Sequence, residues 1–125
     1  MKNKNILVVD DDIDIREVIQ YALNSEGYNI VTAGNGEEAL DFLTSEQHKA
    51  TPISCIVLDL MMPRMNGEEF IRTLRANHKE LAKIPIIVIT AQGTGLNSET
   101  LQNTKKIHKP MDLEDLYVAI ESALK

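Results

Sequence analysis

Short aliphatic runs, separated by longer stretches with helical spacing, organise the whole chain. Five of them predict strands: Ile6–Val9, Asn29–Thr32, Ser54–Leu58, Ile86–Ile89 and Lys105–His108. The first, third and fourth lack polar alternation, as expected of strands covered on both faces of a parallel sheet. Between the runs the period changes. Ile15, Val18, Ile19, Ala22 and Leu23 mark one helical face, and Gly27 offers a C-terminal stop. Asn35 and Asn66 each precede a glutamate by three residues, in NGEEAL and NGEEFI, a capping-box-like start. Leu113, Leu116, Tyr117, Ile120 and Leu124 face one way behind Asp112, a good N-cap.

One segment fits poorly. Gly93–Thr104 stands where a helix is due, yet it has two glycines and only Leu96 and Leu101 as large apolar residues. A helix there would be short and weakly held. Even so, strand and helix alternate five times along the chain. With right-handed crossovers this predicts an α/β fold, a parallel sheet between two helical layers. No repeat or linker interrupts the pattern, so residues 1–125 read as one domain.

Composition narrows the function classes. Hydrophobic residues make up 43% and charged residues 26%, an ordinary soluble balance. No apolar run approaches the roughly 20 residues of a membrane span. The opening MKNKN is no secretory signal, and the lone Cys55, set inside an apolar run, reads as a buried structural thiol. These features point to the cytoplasm. A net charge of −6 opposes direct nucleic-acid binding, and no basic run longer than Lys105–Lys106 exists to attract a membrane.

The polar residues that end the strands change the picture most. Asp10, Asp11 and Asp12 follow the first strand, Asp59 the third, Thr90 the fourth and Lys109 the fifth. In an open parallel sheet, ligands bind in the crevice at those carboxyl ends, where the strand order reverses. Singly, such residues are helix caps or solvated charges. Jointly they suggest a cation site, because crowded carboxylates raise one another's pKa or recruit a cation. Hard oxygen ligands favour Mg²⁺ or Ca²⁺, and no His/Cys set has zinc spacing. Mg²⁺ commonly completes its shell with phosphate oxygens, for which Thr90 would supply a donor and Lys109 a cation. The set therefore reads as a phosphoryl-transfer site with one carboxylate as acceptor.

The segments ILVVDDD, VLDLMMPRMNG, IIVITA and IHKP, in this order, resemble the receiver domain of two-component response regulators across essentially the whole chain. The resemblance implies a flavodoxin-like (βα)5 sandwich with a five-stranded parallel sheet of order 2-1-3-4-5. It implies that Asp59 is the phosphoacceptor, charged by a sensor histidine kinase or a phosphotransfer protein. Asp11 would be a direct Mg²⁺ ligand, with Asp10 acting largely through water and the Met61 backbone carbonyl completing the protein ligands. Thr90 and Lys109 would bind the phosphoryl oxygens, and Ala91 would leave room beside them. Lys109–Pro110 would be a cis bond, and Met62–Pro63 with Asn66–Gly67 would form the loop into the next helix. Such a domain is a signalling phosphoacceptor rather than an enzyme acting on other molecules. Its output goes to a downstream effector or an attached domain.

Three features depart from that family. Lys106 stands where an aromatic residue is common, the span from Thr90 to Lys109 is short, and the loop TSEQHKATPIS is slightly long. Asp12 reads as a cap or a bystander, and His48, His78 and His108 as surface or strand-edge residues. Two alternatives stay open at this point. A haloacid dehalogenase-like phosphatase would use Asp10 and Asp12, although Asp14 stands where its motif has Thr or Val. A degenerate receiver would act only as an interaction module.

Overall fold

The computed structural model describes residues 4–62, 65–90, 104–108 and 112–125. Its strands are β1 (Asn5–Val9), β2 (Asn29–Ala33), β3 (Cys55–Asp59), β4 (Ile86–Thr90) and β5 (Lys105–His108). The helices are α1 (Ile13–Ser25), α2 (Gly36–Leu43), α3 (Glu46–Ala50), α4 (Gly67–Asn77) and α5 (Leu113–Ala123), and a 3-10 turn, Leu81–Lys83, precedes β4. The strands form one parallel sheet of order β2-β1-β3-β4-β5. This is the predicted α/β, flavodoxin-like order, and it reverses at β1, between β2 and β3.

The missing alternation in β1, β3 and β4 has a direct cause: both faces of these strands are covered. Leu7, Val9, Ile56, Leu58 and Val88 point to one side and pack with Ala39 and Leu43 of α2 and Phe70, Ile71 and Leu74 of α4. Ile6, Val8, Val57, Ile87 and Ile89 point to the other and pack with Ile19 and Leu23 of α1 and Leu116, Ala119 and Ile120 of α5. Cys55 lies in this second layer, fully buried, and burial pushes its thiol up to about 12.

The caps form as the sequence predicts, with one variation. Asp12 caps α1, Asn35 caps α2, Asn66 caps α4 and Asp112 caps α5. Asn66 and Glu69 make the full reciprocal box, whereas Glu38 reaches one residue further back and accepts from the Gly34 N–H at 2.7 Å. At the end of α1, Gly27 adopts φ 95°, and its N–H bonds Asn24 O while the Tyr28 N–H bonds Leu23 O. That is a Schellman stop, which needs the left-handed backbone glycine allows.

Two side-chain expectations, for Val18 and His48, shift. Val18 is 56% exposed, because the buried stripe of α1 centres on Ile19, Ala22 and Leu23 and leaves Val18 at its margin. Leu124, the C-cap of α5, is half-buried and packs with Leu113, Leu116, Tyr117 and Ile120 on one core layer, as its spacing predicts. The loop ahead of β3 contains α3, capped by Ser45 and half-burying His48. His48 Nε2 accepts the Ile53 N–H at 3.0 Å, and its ring meets Phe42 edge-on. His78 is the C-cap of α4. Lys106 is half-buried, and its ammonium donates to Thr104 O at 3.4 Å. The helix sought in Gly93–Thr104 lies, apart from Thr104, outside the described residues.

Candidate functional site

The sheet order brings the predicted acids together. β1 and β3 are neighbours, paired with Val9 opposite Leu58, so the residues that follow them emerge side by side. The Asp10 N–H continues the ladder to Ala33 O at 3.1 Å, which fixes the chain just beyond β1. Asp59 is the last residue of β3, and the Leu60 N–H still reaches Ile89 O at 3.2 Å. Asp10 and Asp59 are each only 3% exposed, while Asp11 is exposed. Among the described residues, Asp10, Asp11 and Asp59 each offer an oxygen within 4.8 Å of the others.

Both buried carboxylates are oriented by the backbone ahead of them. Asp10 Oδ1 accepts the Asp12 N–H at 2.9 Å, and Asp59 Oδ1 accepts the Met61 N–H at 3.1 Å. Two ionised carboxylates at this separation repel by on the order of 3 kcal/mol at an effective dielectric of about 20. A hard divalent cation, with ligand distances of about 2.1–2.5 Å, bridges oxygens up to about 5 Å apart and turns that repulsion into attraction. The all-carboxylate donor set suits Mg²⁺ or Ca²⁺ and not zinc.

Other predicted residues fall where the topology requires. Thr90 ends β4, fully buried, one residue beyond the Ile89 that pairs with Asp59. Met61, whose N–H meets Asp59 Oδ1, is 60% exposed. Asn66 opens α4. Lys109, Ala91, Pro110 and Pro63 lie outside the described residues; β5 ends at His108, paired with Thr90. The Asp12 carboxylate is turned away from the acids and accepts from Asp14 N at 2.9 Å and Ile15 N at 3.3 Å. It is therefore a cap, not the second acid that a haloacid dehalogenase-like reading needs beside Asp10.

Gly67 had no specific role in the sequence pattern beyond its loop. A Cβ there would lie 2.8 Å from Asp59 O and 2.8 Å from Leu60 Cα, so only glycine lets α4 begin this close to the end of β3. Nothing short of the folded approach distance could single it out. A groove of about 720 Å³ lies at the other end of the sheet, lined by Lys4, Tyr28 and the end of α5. It has no part in the acid site.

Comparison with known proteins agrees with this fold. The family model for the response regulator receiver domain matches residues 6–121. The chain is 36% identical to the response regulator MprA of Mycolicibacterium vanbaalenii over 96% of its own length and 50% of that protein's. It is 38% identical to the probable transcriptional regulator ycf27 of Cyanophora paradoxa, over 100% of this chain and 50% of the relative. The chain thus spans about half the length of the curated relatives it matches. Among solved structures, response regulator protein TrrA of Thermotoga maritima, determined in complex with Mg²⁺ and BeF, superposes with a TM-score of 0.80 at 31% identity, over 97% of this chain and 99% of that one.

Proposed function

This chain belongs to the response regulator receiver domain family, and from that premise we propose how its two-component phosphoacceptor function is carried out. Asp59 takes a phosphoryl group from a sensor histidine kinase or phosphotransfer protein. An Asp59 carboxylate oxygen attacks the phosphorus of a phosphohistidine; the O–P bond forms, the P–N bond breaks, and the imidazole keeps the electron pair and takes up a proton. Asp11, Asp59 and the Met61 carbonyl would hold Mg²⁺, with Asp10 acting largely through water, and the bound ion would supply charge that offsets the approach of carboxylate to phosphoryl oxygens. Thr90 donates to one phosphoryl oxygen and Lys109 pairs with another. Residues 1–125 act as one receiver unit that assists its own phosphorylation and dephosphorylation in the cytoplasm. It signals to an effector protein or an attached output domain, and the net charge of −6 disfavours direct nucleic-acid contact by this domain.

The observation that carries this reading is the gathering of Asp10, Asp11 and Asp59 oxygens within 4.8 Å at the sheet's switch point, beside buried Thr90. Intact-mass spectrometry after incubation with acetyl phosphate and Mg²⁺ tests it. The protein should gain one phosphoryl group at Asp59, and Asp59→Asn should fold and gain none. A label on Asp10 or Asp12, or a phosphorylated Asp59→Asn protein, refutes the assignment.

A further inference from the structure

The backbone just after β1 makes a two-step relay. The Asp12 N–H donates to Asp10 Oδ1 at 2.9 Å, and the Asp12 carboxylate accepts from the Asp14 and Ile15 N–H groups that open α1. The cap is what fixes Asp12. Its φ of −87° and ψ of 111° place the side chain over the first turn of α1, and in the same conformation its N–H faces back toward β1. Asp10 is 3% exposed, so the direction of its carboxylate depends on protein donors rather than on bulk water. The Asp12 carboxylate itself is exposed and engaged with α1, which leaves it out of the acid cluster.

We propose that Asp12 is a positioning residue for the cation site: by capping α1 it holds the N–H that orients Asp10, without being a ligand. This rests on the Mg²⁺ reading above. It makes a distinction that charge alone does not, because Asp12→Asn and Asp12→Ala remove the same charge while only asparagine keeps a capping oxygen.

The test is Mg²⁺ binding to wild type and both variants by isothermal titration calorimetry, with far-UV circular dichroism to confirm the fold. Groups that orient a metal site from outside its ligand set are worth about 10–100-fold in affinity. Asp12→Asn should therefore bind Mg²⁺ about tenfold more tightly than Asp12→Ala. Asp12→Ser, which also caps, covers the case in which the alanine variant does not fold, and should match Asp12→Asn. Equal affinities for Asp12→Asn and Asp12→Ala overturn the proposal, as does a Ser variant that binds far more weakly than Asn. A purely structural cap would lower the melting temperature of Asp12→Ala and leave its Mg²⁺ affinity equal to that of Asp12→Asn. Wild-type protein that binds no Mg²⁺ overturns the site reading itself, and the proposal with it.

Discussion

Replacing Gly67 with alanine sets two effects of opposite sign against each other. Gly67 is the first residue of α4, where alanine is intrinsically better than glycine by roughly 0.5–1 kcal/mol. Against this, the new Cβ would sit 2.8 Å from Asp59 O, 2.8 Å from Leu60 Cα and 2.9 Å from Leu60 Cδ2. Two of these are backbone atoms and cannot rotate aside. Ordinary contact begins near 3.4 Å, so α4 must retreat from β3 by about 0.6 Å. The retreat also stretches the Gly67 N–H bond to Leu60 O, now 3.0 Å. Overpacking of this kind typically costs about 1–3 kcal/mol, which outweighs the propensity gain. Gly67→Ala should therefore destabilise the domain by about 1–2 kcal/mol, lowering the melting temperature by roughly 4–8 °C. Urea unfolding followed by circular dichroism measures the first value and a thermal scan the second. The displaced backbone carries Asp59, so Mg²⁺ affinity should fall in the same variant. A variant as stable as wild type would refute the reasoning, because it would mean that the end of β3 yields freely.

Further outcomes are expected. Asp11→Asn should weaken Mg²⁺ binding by at least about tenfold and slow phosphorylation by acetyl phosphate, measured by calorimetry and intact mass; a wild-type rate would remove Asp11 from the ligand set. Burial lowers the pKa of His48 below its unfolded value of 6.5, so its contribution to stability is present above that pH and lost as pH falls through the folded value. The wild-type advantage over His48→Ala in urea midpoint should accordingly shrink between pH 7.5 and 5.5, and an advantage that grows on acidification would contradict the Ile53 hydrogen bond. Cys55, buried with its thiol pushed up to about 12, should stay silent to Ellman's reagent in native protein and react fully in urea.

The parts of the fold legible in the sequence are those fixed by local period and cap chemistry. Ile6–Val9, Ser54–Leu58 and Ile86–Ile89 announce doubly covered strands because no polar alternation marks them, and Asn66 with Glu69 announces a helix start from spacing alone. Val18 is exposed although the 3.6-residue period admits it to the stripe, because only the packing of α1 on the sheet decides which edge of the stripe is wet. α3 gave no signal, since one turn with no buried residue has no period; Ser45 and the His48–Ile53 contact hold it instead. The acid cluster could be read because parallel strands end at the same edge. Which N–H orients each carboxylate could not, because that depends on the turn each chain makes after its strand.

The place of β1 between β2 and β3 also shapes how the chain comes together in time. One edge of β1 pairs with β2 after a short excursion through α1, Ile6 opposite Ile30. Its other edge pairs with β3, Ile6 opposite Cys55, about fifty residues further along. At a synthesis rate of about 5–20 residues per second, that second edge stays open for several seconds after β1 is made. During that interval Ile6, Leu7, Val8 and Val9 present an apolar strand with unpaired backbone groups, just the kind of edge that adds strands from other chains. The β1–α1–β2 unit is thus the window in which the nascent protein is most exposed to misassociation, and the arrival of β3 closes it.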